Sequence, residues 1–559
     1  MAGTLSIASG RRSHGGGEAG VWYPPLIRVS SDRWQWAAAT AALLVGTGML
    51  HGATVVSSLT RLPGDLGDTR FNLLVLEHGF RSLRGDAFDR DFWSPAFAFW
   101  PHPDVLAYSD NLAGDLLGYA PLRAMGLDPA RAFALFLLLC TVLDFAATLA
   151  LGRALGLSVL GASAAATLFA FGMPRSAQLN HAQLLPSFWT PLCFLCAVLS
   201  WRRWRAGRAW AARGFAALAA PCAVLQLAAG IYLGVFLLLG AAGVALGLAW
   251  HLFRRRERWA ELTRFCRSTV AGWAIGGALG LALLWPLLAP YARARAELGG
   301  RPLAEVAGML PRAASYLLPA PGSVPYHGLL RLSAYVPVPW EQALFAGFLP
   351  LVALVALAFR GRRRAGMPVD PAVPAAVLGL WWTSALATLF LGSWHGVPLS
   401  LWALLRHMPG LDALRAVSRV GVLELLGGGL AAGIVVTGLA RRPLLALLLA
   451  LFPLAENWSR CPAPVTATEM SARVRRVEAA VPPGCRAFFW RGEGAGPAYA
   501  LQLDAMAASL DLAVPTLNGY SGHDPPRGLP DDPREVSAED ARRWLAREGM
   551  GASGLCVVP

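Results

Sequence analysis

A chain of 559 residues that is 55% apolar and only 15% charged has too little polar surface to cover a water-soluble globule of its size, and its mean hydropathy of +0.47 says the same. Its 49 basic residues, all arginine, exceed the 34 carboxylates by 15, but they fall in short clusters between apolar runs, which is a pattern of membrane topology and not of nucleic-acid binding. The eight cysteines are scattered, several of them (Cys140, Cys193, Cys196, Cys222) inside apolar runs, so no disulfide framework is implied.

In chain order, residues 1–33 are rich in Gly, Ser and Arg without an apolar stretch and are expected to form a disordered cytoplasmic tail, with no cleavable signal peptide. The run 34–56 is long enough, at about 1.5 Å per residue, to cross a hydrocarbon layer of roughly 30 Å. The same test predicts further spans at 131–151, 155–172, 183–200, 214–229, 231–253, 268–289, 341–359, 372–391, 420–439 and 442–457, eleven in all. The pair 214–229 and 231–253 requires a break in one apolar stretch near Gly230.

Arginine clusters at 201–205, 254–258, 360–364 and 441–442 then share one side, which places the N-terminus in the cytoplasm. The long loops lie on the other face: 57–130, 173–182, 290–340, 392–419 and everything after Trp458. The first of these holds ten carboxylates against six arginines, the reverse of the arginine-rich side. From 458 to 559 the composition changes. Ala487–Trp490 and Leu555–Val558 read as strands and Ser537–Glu548 as a capped amphipathic helix, which predicts a small α/β domain on the outer face.

Five loop constellations carry candidate chemistry. In Pro63–Arg70 (PGDLGDTR), Asp65 and Asp68 suit a general base for a hydroxyl or ligands of a divalent ion such as Mg or Mn, and equally suit a turn and helix cap leading into 71–77. The aromatic and proline-rich stretch 92–111 suits a segment lying in the membrane interface. Arg175, His181 and Gln183 cluster on a short connection between spans, where ionisable groups mark a cavity mouth or a structural pairing. Arg415 and Arg419 stand four apart, on one face if helical, and could grip one phosphate or reach lipid headgroups. In LNGYSGHDPP, Tyr520 and His523 sit on a turn fixed by Gly and Pro, turned to a groove or to solvent.

The patches GDLGDTRFNLLVLEH (64–78), FWSPAFAFWPHPDVLAYSDNLAG (92–114), HAQLLPSFWTPL (181–192), HMPGLDALRAVSRVG (407–421) and LNGYSGHDPP (517–526), on a chain of about eleven spans with an outer C-terminal domain, resemble the GT-C superfamily of polyprenyl-phosphate-sugar-dependent glycosyltransferases, in a bacterial subgroup. The resemblance implies an all-α polytopic fold in the bacterial inner membrane and a lipid-linked sugar donor. Under it Asp65 or Asp68 is the base or metal ligand, and Arg415 or Arg419 the phosphate contact, with Arg175 and His181 as further candidates. Two other classes stay open. A lipid-linked glycan transporter would place ionisable groups at the bilayer midplane, where Asp144 is the one early carboxylate, and a non-catalytic assembly protein would keep the acidic motif without chemistry. Among Cys461, Cys485 and Cys556 at most one bridge can form, with the pair undetermined.

Overall fold

The computed structural model describes residues 33–255, 258–360, 369–492 and 496–559. Residues 1–32 of the expected tail and the arginines at 256 and 362–364 lie outside the described residues. The chain is a multi-pass, predominantly helical membrane protein. Seven helices are long and apolar enough to cross a membrane: Arg33–Val56, Pro129–Ala154, Ala182–Arg205, Ala209–Ala229, Ile231–Phe253, Trp259–Leu298 and Val417–Thr437. Four shorter apolar helices, Val159–Phe171, Phe348–Arg360, Ala372–Thr388 and Pro443–Glu456, fill the remaining expected positions.

Two lengths depart from the sequence expectation. The run expected at 268–289 is part of a helix of 40 residues, about 60 Å long, whose polar C-terminal end carries Tyr291 and Glu297 into the loop region. Val159–Phe171 has only 13 residues but is buried at every one, so neighbouring helices shield its ends. It packs against Gly421–Thr437 at a crossing of two glycines: a Cβ on Gly161 would lie 2.5 Å from the Gly433 carbonyl oxygen, and one on Gly433 would meet Gly161 O at 2.5 Å. Small residues allow that approach, which matters where lipid supplies no hydrophobic force between helices.

At one end of the bundle short connections are tied by arginine: Arg202 donates to Ala154 O at 2.8 Å, Arg205 pairs with Glu261 at 3.2 Å and Arg258 with Asp370 at 3.1 Å. The long loops gather at the other end. There the first loop is itself structured, with helices Asp68–Leu83 and Leu116–Ala124. Every residue from Thr69 to Phe80 is buried, and Glu77 joins the two helices by accepting from Tyr119 (2.8 Å) and Arg123 (2.7 Å).

The C-terminal region has the expected strands, Ala487–Trp490 pairing in parallel with Leu555–Val558, and Ser537 caps the helix Ala538–Arg547 in a capping box with Asp540. Helices Ala467–Ala480 and Ala498–Leu512 complete it, and a Cys485–Cys556 disulfide closes the end of the sheet. This region is knitted into the first loop. Arg61–Leu62 pairs antiparallel with Val465–Thr466, Phe99 N donates to Asn518 O (2.9 Å), and Asp504 accepts from both Arg70 (2.7 Å) and Arg473 (2.7 Å).

Candidate functional site

The acidic turn after the first helix is shaped by glycine and threonine. Gly64 has φ +100°, and a Cβ there would collide with Thr69 Oγ1. That hydroxyl donates to Pro63 O (3.0 Å) and accepts from Asp65 N (3.2 Å), while Asp65 Oδ1 accepts from Gly67 N at 2.9 Å. The turn leaves Asp65 half-buried, with no hydrogen bond to Oδ2 among the described residues. Asp68 becomes the first residue of Asp68–Leu83, where the helix N-terminus favours its ionised form.

From Asp68 runs a chain of alternating charge. Asp68 Oδ2 meets His181 Nδ1 at 2.6 Å, His181 Nε2 meets Glu341 Oε1 at 3.0 Å, and Glu341 Oε1 accepts from Arg419 Nη2 at 2.9 Å. Tyr520 donates its hydroxyl to the other oxygen of Asp68 at 2.7 Å. Gln178 donates to Glu341 at 3.3 Å, and the Arg419 guanidinium lies over the Tyr232 ring, 5.0 Å from its centroid. Arg419 Nη1 makes no hydrogen bond among the described residues. Four separate loops and the C-terminal region thus converge on one cluster at the loop end of the bundle.

The two aspartates have opposite character. Burial pushes the Asp68 carboxyl up, but the bond and charge of His181, the Tyr520 hydroxyl and the charge of Arg419 outweigh it and hold Asp68 at about 2. Asp65 is raised above the usual range, by burial first and then by the charge of Asp68, against the Gly67 amide bond. His181 is lowered by burial and by Arg419 but raised on balance by its two carboxylate partners, so it favours the imidazolium. Glu341 is held well below the ordinary range, its burial overcome by Arg419 and His181.

Of the residues singled out in the sequence, Asp68, His181, Arg419 and Tyr520 meet in this cluster, with Asp65 on the same turn. Gln183 is buried nearby and accepts from Asn72 at 2.7 Å. Arg175 lies elsewhere: fully buried, it pairs with Asp144 at 3.3 Å and donates to the Phe169 and Leu184 carbonyls, which also accounts for the carboxylate inside an early span. Arg415 and Arg419 do not share a helical face. Ala416 (φ −83°, ψ 69°) is not helical and only Val417–Val420 makes a 3-10 turn, so Arg419 turns inward while Arg415 stays 40% exposed on Glu305 at 3.5 Å. His523 sits apart from Asp68, beside Arg301 and Arg415, and is pulled down to about 4 by burial and then by Arg301.

Glu341 is the member that sequence reasoning missed. The expected span 341–359 placed it at a membrane boundary, whereas the helix starts at Phe348 and Glu341 stands in the preceding loop. A carboxylate at the head of an apolar run is costly without a partner, and that cost was the available signal. Asp110 was quoted only within the aromatic stretch. It is buried, accepts from Ile231 N at 2.7 Å, and feels the charges of Arg419, Asp68 and His181. For the expected divalent ion, no group of three or more His, Cys, Asp or Glu side chains among the described residues is placed to hold a metal, and both oxygens of Asp68 are engaged by His181 and Tyr520.

No protein-family model matches the chain, and no curated protein matches it. Among solved structures it is similar to the apo oligosaccharyltransferase of Archaeoglobus fulgidus (TM-score 0.45, 14% identity), over 88% of this chain and 65% of that one, so it spans less than two thirds of that enzyme's length. It is similar at TM-score 0.44 and 13% identity to the same enzyme tethered to an acceptor peptide containing the NVT sequon, over 88% of this chain and 64% of that one. A third similarity, at TM-score 0.31 and 11% identity over 87% of this chain and 90% of the other, is to ArnT from Cupriavidus metallidurans bound to undecaprenyl phosphate.

Proposed function

We propose that the chain is a membrane glycosyltransferase that moves a sugar from a polyprenyl-phosphate donor to an acceptor at the loop face of the membrane. The observation that carries this reading is the division of labour at the acidic turn: one carboxylate held in its ionised form chiefly by the partly buried His181, and a second, half-buried and raised, with a free oxygen. The GT-C-like patches around Asp65, Asp68, His181, Arg419 and Tyr520 support it, since these are the patches whose residues meet.

The roles follow from the electrostatics. A carboxylate held near 2 is a poor proton acceptor, so the base is Asp65, and Asp68 is a positioning residue that keeps His181 protonated. The acceptor oxygen attacks the anomeric carbon as its proton passes to Asp65 Oδ2, the bond from that carbon to the phosphate oxygen breaks, and the polyprenyl phosphate leaves with the electron pair. Arg419 has Nη1 free to stabilise that phosphate, and Arg415, whose side chain is 40% exposed, supplies a second donor. A single displacement inverts the anomeric centre.

The loop face lies outside the cytoplasm in this proposal, in the bacterial inner membrane. Arginine clusters at the opposite end and the Cys485–Cys556 disulfide in the C-terminal region both accord with that orientation. The test is transfer of radiolabelled sugar from a panel of polyprenyl-phosphate sugars by protein in nanodiscs, with and without a divalent ion. Donor turnover that disappears in Asp65→Asn supports the reading; undiminished turnover in Asp65→Asn and Asp68→Asn together overturns it.

A further inference from the structure

A cavity of about 190 Å³ opens in the C-terminal region behind Tyr520. Its walls include Phe99 from the first loop and Tyr499, Tyr520 and Trp544 from the C-terminal helices and turn, with two carboxylates, Asp524 and Asp531. It abuts the candidate site through two tyrosines. Tyr520 lines it with its ring and donates its hydroxyl to Asp68, and Tyr499, 6.1 Å from the Tyr520 ring, stands beside Gly67 of the acidic turn, where an added Cβ would meet its ring at 3.3 Å.

The charge of this cavity runs against that of the chain. The sequence carries a formal +15, yet among the described residues no arginine or histidine lines the cavity, and neither Asp524 nor Asp531 has a salt-bridge partner. Asp524 and Asp531 stand together at the open side of the cavity, where burial and the charge of Asp531 raise Asp524 to about 6 against the more distant charge of Arg301. The Ser521 hydroxyl at the wall is buried without a hydrogen-bond partner. Aromatic faces around paired carboxylates recognise a cation, by attraction to the rings and by ion pairing.

We propose that this cavity is an acceptor subsite that takes a primary ammonium group, seating the acceptor so that its hydroxyl reaches the acidic turn. This rests on the transferase reading above, but its test does not. The full-length protein in nanodiscs, without donor, is titrated by saturation-transfer NMR with glucosamine and with Nα-acetyl-lysinamide, an amino sugar and a peptide-type amine, each against its N-acetylated counterpart.

Wild-type protein is expected to bind at least one amine about tenfold more tightly than its acetylated form, and Asp524→Asn with Asp531→Asn is expected to abolish that preference. Equal binding of amine and acetylated forms by wild type overturns the proposal, and that arm needs no variant to fold. An unchanged preference in a folded double variant also overturns it. Amine binding without any donor turnover leaves the cavity standing and refutes the transferase; turnover without amine preference does the reverse.

Discussion

Replacing Glu341 by glutamine removes the anion between two cations while keeping the side chain's shape. Glu341 and Arg419 are 5% and 6% exposed and their charges stand 2.9 Å apart. At an effective dielectric near 20 that separation corresponds to about 6 kcal/mol of attraction, against which the desolvation of both groups counts. Breaking such a pair from one side costs about 3–5 kcal/mol, because the arginine stays buried without its partner. Glu341→Gln is therefore expected to unfold at clearly lower temperature in nanodiscs, while Glu341→Gln with Arg419→Met, which removes both charges, is expected to recover part of the loss. A double-mutant cycle by thermal unfolding measures the coupling. Strictly additive losses, or a single variant as stable as wild type, would refute the ion-pair account. His181 also loses one of the two carboxylates that raise it, so its NMR titration in the single variant should move to lower pH.

Asp65→Asn is expected to lower kcat about 10²–10⁴-fold with little change in unfolding temperature, since Asp65 makes only the Gly67 contact within its turn. Asp68→Asn should instead cost stability: a carboxyl moved from 3.8 to about 2 corresponds to about 2 kcal/mol at neutral pH. With a folded value below the unfolded one, the Asp68 contribution is complete above pH 3.8 and disappears as pH falls toward about 2. His181 has the opposite sign; its contribution is complete below pH 6.5 and is lost as pH rises through its raised folded value, so unfolding temperature against pH should fall on both sides of a plateau. Reducing the Cys485–Cys556 bridge, which spans 71 residues, releases chain entropy worth about 4 kcal/mol and should expose the C-terminal region to limited proteolysis, whereas an unchanged digestion pattern would show the bridge to be dispensable.

Much of the architecture was legible because it is written in contiguous residues. Eleven apolar runs are recognisable by length and hydropathy, and all eleven became helices, although ends such as Phe348 and Leu298 moved because capping and shielding by neighbours decide where a helix starts and stops. Ser537 and the patches at 487–490 and 555–558 carried their capping and strand signals locally in the same way. The acidic turn could be read too, since Gly64 and Thr69 shape it within seven residues.

Partnership was not legible. Asp68 finds His181 at a separation of 113 residues and Tyr520 at 452, and Glu341, unremarked at the head of an apolar run, becomes the link between His181 and Arg419. Three outer cysteines left the pairing open until the parallel strands set Phe488 beside Cys556 and brought Cys485 to it. Arg175 and Arg419 carry the same side chain, yet one is paired with Asp144 inside the bundle and the other joins the cluster. Helix and turn formation depends on neighbours in sequence, so the sequence by itself determined those elements. The role of a charged group depends on which loop ends packing brings within about 3 Å of it, and only the tertiary structure decided that.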